Sequence, residues 1–306
     1  MEREIKYYIG KNTFCASYAV LNAAGCEGDA ELFELSMGIP FGIKCVDMKS
    51  ERFLTPYRNP NDGIDIAAAM WGIPVHKFIF DQKDLAFAQL CRELERGCNI
   101  VLGPLNMGKL FYIPLCSLYE GVDHYIQLRK TRNDIFVIRD SEGYVLVPVT
   151  RKELYKMWNV DGVYEAEGKY TFRSIGTQNK MPGRYFTRVG QLLEIIYKQM
   201  KQNLKQAEQS GQGSRAFSNV FEILKMYNVN KWKLSFLYEL EHLIQRKMLA
   251  LYFFEEIKNM KCEENKIVKE QIYLIACLYR EIKRKNIIEE ERLLQLGELE
   301  RQLGEV

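Results

Sequence analysis

The sequence predicts an α+β domain followed by an all-helical domain, and three observations support this division. Amphipathic helical patterns alternate with short apolar strand patterns up to about residue 175. Within that region, three strand patterns follow one another between residues 124 and 149, separated by short polar turns, as in an antiparallel meander. From residue 184 onward the long patterns are helical. We therefore place a domain with an antiparallel sheet at 1–175 and a helical domain at 184–306.

The first part of the chain opens with an alanine-rich, apolar helix predicted from Phe14 to Ala24, which Gly25 should end because glycine adopts the left-handed conformation of a helix stop. Residues 49–63 contain several proline, asparagine and glycine turn signals and are predicted to form a loop. Other predicted elements before residue 106 are a helix capped by Asp29 and running through Leu35, a helix at 64–71, a strand at 73–80, a helix at 83–96 and a strand at 100–105.

The meander is predicted from His124 to Val149 and leads into a short helix. Thr150 is the expected N-cap of that helix, and Glu153 stands at the position that completes a capping box. One more strand is expected by about residue 172. The helices predicted for the second domain cover 185–208, 215–227, 231–260, 263–285 and 287–303.

Composition excludes several classes of protein. The net charge is only +3 and there is no dense block of lysine and arginine, so we expect no binding to nucleic acid. No apolar run approaches the roughly 18 residues that a membrane span needs, so we expect no membrane insertion. Residues 1–6 are charged and lack the apolar core of a signal peptide. We therefore expect a cytoplasmic protein.

The chain has eight cysteines and three histidines, and their spacing argues against a metal site. No C-x-x-C pair occurs, and a disulfide framework is not expected in a long, non-secreted chain. We therefore predict no bound metal and assign most of the cysteines to core packing. His76, on a predicted strand, and His242, in a long predicted helix, are expected to have surface or structural roles.

Cys15 is the first candidate for chemistry, because it comes at the start of the predicted helix. The N-terminus of a helix carries partial positive charge, which stabilises a thiolate, and its unpaired N–H groups can hold an oxyanion. Small neighbours such as Ala16 and Ser17 would leave the sulfur accessible. The alternative is an ordinary buried thiol, which is common for free cysteine.

His124 and Asp140 complete the candidate site. His124 opens one strand of the predicted meander and Asp140 ends the next. Because antiparallel neighbours bring the start of one strand beside the end of the other, the two side chains should lie close together. A helix that placed Cys15 against this sheet would form a Cys–His–Asp triad, and this chain order is typical of papain-like folds.

Several segments also match a known family. They are Cys15–Gly25 (CASYAVLNAAG), Glu31–Phe41 (ELFELSMGIPF), Gly72–Val75 (GIPV), Leu102–Asn106 (LGPLN), Asp123–Tyr125 (DHY) and Ile135–Gly143 (IFVIRDSEG). Through them the chain resembles the butirosin biosynthesis protein H family and, more loosely, the C39 peptidase fold. The match covers about residues 8–160, and the helical C-terminal region also suits the family.

This resemblance implies a papain-like, C39-like cysteine-protease fold and a transferase activity. Its members move an acyl group from a carrier-protein thioester to an amine in antibiotic biosynthesis, and a related papain-like enzyme acts in thioamide antibiotic assembly. The implied triad is Cys15, His124 and Asp140. The implied partners are an acyl or peptidyl carrier protein, with its phosphopantetheine arm, and a small amine acceptor; no bound cofactor is implied.

The chain departs from the family pattern at three points. Ser141 stands where proline is frequent, and Asn106 stands where aspartate is frequent. No glutamine precedes Cys15 as an oxyanion donor, and Asn12 is the nearest amide. Our candidate oxyanion or substrate-binding residues are therefore Asn12, Asn106 and Tyr125.

Two groups of apolar residues each fit two different roles. The aromatic residues Phe111, Tyr112, Tyr119 and Tyr125 fit either an acyl pocket or core packing. The apolar stripe between Leu234 and Phe254 fits either the core of a helical bundle or the interface of a homodimer. The activity is open in the same way, because the triad would also serve a cysteine peptidase or amidase, and a binding module could retain the fold without catalysis.

Overall fold

The computed structural model describes residues 14–26, 30–46, 53–130, 135–176, 189–257 and 263–306. The chain forms two compact units. The sheet unit consists of Met1–Phe33 and Ala68–Tyr185, and the helical unit consists of Glu34–Ala67 and Phe186–Val306. The structure is therefore α+β, with antiparallel sheets and a helical C-terminal region, as predicted.

The elements follow the predicted order closely. The helices are α1 (Cys15–Ala24), α2 (Ala30–Met37), α3 (Pro60–Met70), α4 (Lys83–Glu95), α5 (Arg151–Trp158), α6 (Val189–Gln209), α7 (Ser214–Lys225), α8 (Val229–Tyr252), α9 (Glu263–Lys285) and α10 (Glu290–Glu305). The strands are β1 (Ile43–Cys45), β2 (Leu54–Pro56), β3 (Val75–Phe80), β4 (Asn99–Asn106), β5 (Asp123–Lys130), β6 (Phe136–Arg139), β7 (Val147–Val149) and β8 (Tyr170–Ile175).

The sheet unit is built on six antiparallel strands in the order β3-β8-β4-β5-β6-β7. Strands β5 to β7 form the predicted meander, and β4 pairs with β5 ahead of it. The register pairs Leu105 with His124 across β4 and β5, and Gln127 with Arg139 across β5 and β6. Strand β8 lies between β3 and β4 and pairs with both, although it is far from them along the chain.

Helix α1 packs against β4 and β5 and is fixed to the sheet near its C-terminal end. The Asn99 amide donates a hydrogen bond of 2.7 Å to the Ala23 carbonyl, and the Arg139 guanidinium donates one of 3.2 Å to the Asn22 side chain. Gly25 ends the helix with a φ of 66°, as predicted from its lack of a Cβ atom. These contacts set the direction in which the N-terminal end of α1 points.

Helix α5 confirms the predicted capping box. The Thr150 hydroxyl accepts a hydrogen bond of 3.3 Å from the Glu153 N–H, and the Glu153 carboxylate accepts one of 2.7 Å from the Thr150 N–H. This reciprocal arrangement satisfies two N–H groups that the helix itself cannot pair.

The helical unit includes a segment that the sequence assigned to the first domain. We predicted one continuous domain at 1–175, but residues 34–67 group with the C-terminal helices. One reason is the β1–β2 hairpin: the Ile43 carbonyl accepts a hydrogen bond of 2.9 Å from the Gly213 N–H, and the Glu239 carboxylate accepts bonds of 2.8–3.1 Å from the N–H groups of Phe53 and Leu54. Apolar contacts add to this, because the Phe41 ring packs on those of Phe253 and Phe254.

The same segment contradicts the predicted loop at 49–63. Residues 54–56 form β2 and pair with β1, and α3 begins at Pro60 rather than at residue 64. Proline is favourable at the first position of a helix, because its missing N–H would be unpaired there in any case. The turn signals that predicted a loop therefore lie at the C-terminal end of β2 and in the first turn of α3.

The apolar stripe of α8 is divided between core and surface. Leu237, Leu240 and Leu243 are buried, which confirms core packing for these positions, whereas Leu234 and Met248 are exposed. A homodimer through this unit stays a prediction. In the part of the chain that the structure describes, no helix combines the length and apolar composition needed to cross a bilayer.

Candidate active site

Cys15 occupies the first position of α1 and is only partly buried. Its sulfur accepts a hydrogen bond from the backbone N–H of Tyr125, on β5, and also contacts the His124 side chain. The N–H groups of the first helical turn have no partner within the helix. The thiol therefore lies at the positive end of a helix dipole, next to the sheet.

His124 lies beside Asp140, as the hairpin topology predicted. The ring Nε2 lies 2.8 Å from the Asp140 Oδ1, and both side chains are buried. Since Nε2 is paired with Asp140, Nδ1 is the ring nitrogen that faces Cys15. The structure thus brings together the three residues that the sequence singled out.

Asp140 is held by more than its contact with His124. Its Oδ1 also accepts a hydrogen bond of 2.9 Å from the backbone N–H of Glu142, and its Oδ2 accepts one of 2.7 Å from the Tyr112 hydroxyl. The Asp140 N–H donates a hydrogen bond of 2.8 Å to the Tyr144 carbonyl, which closes the turn after β6. Both carboxylate oxygens are therefore paired, as a buried charge requires.

Electrostatics favour a charged imidazole beside this carboxylate. Burial of the His124 ring opposes its protonation, but the negative charge of Asp140, with a smaller contribution from Cys15, raises the pKa of His124 well above its ordinary value. Burial also works against the charge of Asp140, yet His124 and the hydrogen bonds from Glu142 and Tyr112 hold the pKa of that carboxyl below its usual range. The ring is therefore a strong acceptor for a proton from Cys15.

The thiol itself departs from the sequence expectation. We expected the helix N-terminus to lower the pKa of Cys15, but burial raises it above the ordinary value, and the interactions with His124 and Tyr125 offset only part of the increase. Loss of solvent around the sulfur destabilises the thiolate more than the interactions with His124 and Tyr125 stabilise it. Formation of a thiolate at Cys15 therefore depends on proton transfer to His124.

The three candidate oxyanion or substrate-binding residues have different outcomes. Asn12 lies outside the described residues. Tyr125 is buried on β5 and contacts Cys15 through its backbone N–H, a role that the side-chain pattern did not indicate. Its ring also packs closely against Gly103, where an added Cβ would lie 2.5 Å from the ring, so this approach requires glycine.

Asn106 has a structural role instead of the predicted contact with substrate. Its Oδ1 accepts hydrogen bonds of 3.0 and 3.1 Å from the N–H groups of Gly108 and Gly121, and its Nδ2 donates to Glu120 at 2.6 Å and to the Asp161 carbonyl at 3.1 Å. All four hydrogen-bonding positions of the amide are used. The side chain therefore closes the loop between β4 and β5 and is not available to a substrate.

That loop, at residues 107–122, carries three of the four aromatic residues that fit either a pocket or core packing. Phe111 is 53% exposed, whereas Tyr112 and Tyr119 are partly buried. Tyr112 contacts the candidate site directly through Asp140. Sequence reasoning missed this contact, because no local pattern relates a loop tyrosine to the end of a strand two elements further along the chain.

The remaining histidines lie as expected for surface and structural positions. His76 is exposed on β3, and the His242 Nδ1 lies 2.9 Å from the Tyr238 carbonyl within α8. Among the described residues, no group of three or more histidine, cysteine, aspartate and glutamate side chains could hold a metal ion.

The fold and site together define an α+β protein in which a helix N-terminus brings a thiol to an imidazole–carboxylate pair on an antiparallel sheet. A scan against protein-family models found no match. Among curated proteins, the chain is similar to the uncharacterized protein YobF of Bacillus subtilis (strain 168), with 28% identity over 166 residues. The match covers 53% of this chain and 53% of YobF, so the chain spans about half the length of that relative.

Proposed function

We propose that this protein is an amide-forming acyltransferase of the papain-like type, with Cys15 as nucleophile, His124 as general acid and base, and Asp140 as the group that orients the imidazole. One observation carries the proposal: the Cys15 thiol contacts a His124 ring whose other nitrogen lies 2.8 Å from the buried Asp140 carboxylate. A nucleophile, its base and an orienting acid in mutual contact are the requirements of covalent acyl transfer.

In the first half-reaction, the thiolate that Cys15 forms by transferring its proton to His124 attacks the carbonyl carbon of an acyl thioester. The bond between that carbon and the sulfur of the donor breaks, and the leaving thiolate takes the proton from His124. The products are an acyl-Cys15 thioester and a free thiol on the donor. Exchange of one thioester for another is close to neutral in free energy, so a triad can carry it without further activation.

In the second half-reaction, His124 accepts a proton from an incoming amine as its nitrogen attacks the acyl-Cys15 carbonyl. The carbon–sulfur bond breaks, the amide leaves, and the Cys15 sulfur recovers its proton from His124. Negative charge on the carbonyl oxygen in both half-reactions would lie near the N–H groups that begin α1. Amide formation from a thioester is downhill, which makes the overall transfer favourable.

The choice of donor and acceptor rests on the resemblance to the butirosin biosynthesis protein H family. On this proposal the donor is an acyl or peptidyl carrier protein that presents the thioester on its phosphopantetheine arm, and the acceptor is a small amine of natural-product biosynthesis. Papain-like hydrolases use the same three groups with water as the acceptor. The acceptor therefore distinguishes a transferase from a peptidase or amidase.

The test is intact-mass analysis of the protein after mixing with acyl-loaded carrier proteins. We expect a mass increase equal to one acyl group, lost again when small amines are added and slow to disappear in water alone. Cys15→Ala should abolish the adduct. Cys26→Ala is the matched control and should form it normally, because Cys26 is also partly exposed but lies just beyond the C-terminal end of the same helix, at the negative end of its dipole.

Two results would contradict this assignment. Rapid loss of the acyl group in water, with no acceleration by amines, would identify a hydrolase. Failure of Cys15 to react with any acyl thioester, together with an iodoacetamide rate no higher than that of Cys26, would remove the nucleophile and leave a binding protein.

A further inference from the structure

The two ends of the loop at residues 107–122 are joined to each other by hydrogen bonds. The Met107 N–H donates a hydrogen bond of 2.8 Å to the Val122 carbonyl, and the Asn106 amide closes the same base through its four bonds. Gly108 lies directly against Glu120, where an added Cβ would meet backbone atoms at 2.7 and 3.0 Å. The two ends of this loop are therefore held together, and the residues between them start from fixed positions.

Tyr112 is the residue through which this loop contacts the acid of the site. Its hydroxyl donates a hydrogen bond of 2.7 Å to the Asp140 Oδ2. Its ring packs edge-on against those of Phe111 and Tyr144, with centroid separations of 5.8 and 5.4 Å. Aromatic contacts of this geometry restrict the ring, so the hydroxyl is held where Asp140 needs a donor.

The two oxygens of Asp140 have different partners. Oδ1 is shared between His124 and the Glu142 N–H, whereas Oδ2 accepts from Tyr112. Without the tyrosine hydroxyl, a buried carboxylate oxygen would lose its donor, and rotation of the carboxylate would carry Oδ1 away from the imidazole. A charge-assisted hydrogen bond of this kind is about twice as strong as a neutral one.

We propose that Tyr112 is a positioning residue: its hydroxyl fixes the orientation of Asp140, and through Asp140 the orientation of His124 toward Cys15. The inference rests on the proposed function, because it assigns Tyr112 a part in activating the same thiol. Tyr112 does not contact the reacting atoms, so its effect must pass through Asp140. This dependence gives the proposal a signature that a purely structural tyrosine would not produce.

The experiment measures the rate of alkylation of Cys15 by iodoacetamide, followed by intact mass, in four proteins: the wild type, Tyr112→Phe, Asp140→Asn and the double variant. The phenylalanine keeps the ring contacts and removes only the hydroxyl. We expect Tyr112→Phe to reduce the rate about tenfold in the wild-type background, as loss of a hydrogen bond to a charged group predicts. In the Asp140→Asn background we expect less than a twofold effect, because the group through which Tyr112 acts is already altered.

Tyr155→Phe is the matched control, since it removes a phenol hydroxyl whose hydrogen-bond partners are Arg151, at 2.7 Å on α5, and Asp84, at 3.5 Å. Its alkylation rate should equal that of the wild type. Urea unfolding of each variant checks that the fold is retained.

The outcomes separate this inference from the function on which it rests. A Tyr112→Phe rate equal to the wild-type rate, or an equal reduction in both backgrounds, would overturn the positioning role while leaving the reactive thiol intact. A wild-type Cys15 that reacts no faster than Cys26 would overturn the proposed function itself. A lower alkylation rate in Tyr112→Phe that is seen only when Asp140 is intact would establish that Tyr112 acts through Asp140.

Discussion

The sheet unit and the helical unit each contain a buried ion pair, and the two pairs differ in their surroundings. In the sheet unit, His124 and Asp140 approach to 2.8 Å where β5 begins and β6 ends. In the helical unit, Lys247 on α8 and Glu300 on α10 approach to 2.6 Å, and Gln271 on α9 donates to the same carboxylate oxygen at 2.8 Å. All five side chains are almost fully buried.

The carboxylates differ in how completely they are hydrogen-bonded. Asp140 has donors on both oxygens, from three different residues. Glu300 receives both of its bonds on Oε2, and its Oε1 has no hydrogen-bond partner among the described residues. The first carboxylate is therefore held in one orientation, whereas the second is fixed mainly by its cation.

What separates a candidate active site from a structural pair is the third group. His124 has a second ring nitrogen that faces a thiol at a helix N-terminus. Lys247 has no such neighbour among the residues that form its cluster. A buried ion pair is thus weak evidence for function by itself, because similar pairs also occur inside helical bundles. Substitutions in the two pairs test this contrast, from the largest expected effect to the smallest.

Replacing His124 by alanine should separate reactivity from stability most clearly. We expect the rate of Cys15 acylation to fall about 10³-fold, because a general base contributes on that order. The same substitution should leave the helical unit unaffected. Acylation is measured by intact mass with a thioester donor, and a rate within tenfold of the wild type would show that His124 is not the base.

Replacing Lys247 by methionine should have the opposite profile. The substitution leaves the Glu300 carboxylate buried with only Gln271 as donor, so we expect a loss of about 3–5 kcal/mol in the free energy of unfolding. Alkylation of Cys15 in the folded protein should be unchanged. Urea unfolding measures the first effect, and iodoacetamide labelling measures the second.

A double variant, Lys247→Met with Glu300→Leu, provides the control for this prediction. Replacing both charges by apolar groups removes the unpaired carboxylate, so most of the lost stability should return. If the double variant is as unstable as the single one, the cost comes from lost packing and the comparison with His124 and Asp140 fails.

The pH dependence of stability should show the smallest effect and identify the His124–Asp140 pair. Because the pKa of Asp140 is lowered in the folded state, its contribution is present above its unfolded pKa of about 3.9 and is lost as the pH falls. Because the pKa of His124 is raised, its contribution is complete below its unfolded pKa of about 6.5 and is lost as the pH rises through the folded value. The pair therefore stabilises the protein most between about pH 4 and pH 6.5.

The comparison of wild type with Asp140→Asn makes this measurable. The difference in the free energy of unfolding should be largest at about pH 5.5 and smaller at about pH 9, by about 1.4 kcal/mol for each unit by which the His124 pKa is raised. A difference that is constant with pH would mean that His124 is neutral in the folded protein.

Local sequence signals predicted much of the fold. Gly25 ended α1, Thr150 and Glu153 formed a capping box, and β5, β6 and β7 paired in chain order as the predicted meander, since each of these features depends on residues close together in the chain. The proximity of His124 and Asp140 followed from the same local reasoning, because a hairpin determines which ends of its strands are adjacent.

Features that depend on distant partners were missed. The loop predicted at 49–63 contains β2, whose N–H groups find an acceptor in Glu239, far along the chain. The predicted role of Asn106 failed because its donors and acceptors are supplied by the returning loop and by Asp161. Neither partner is visible in a local pattern of apolar and polar residues.

By itself, then, the sequence determined most of the helices and strands, the hairpin that joins an imidazole to a carboxylate, and the helix start that carries a thiol. The tertiary structure decided that α1 packs across β5 so that Cys15 meets His124, that Tyr112 donates to Asp140, and that burial raises the thiol's pKa. The physical reason is that periodicity and turn chemistry specify which face of a helix or strand is apolar. Which other element packs on that face, and which groups lose their contact with solvent, is decided only when distant segments pack together.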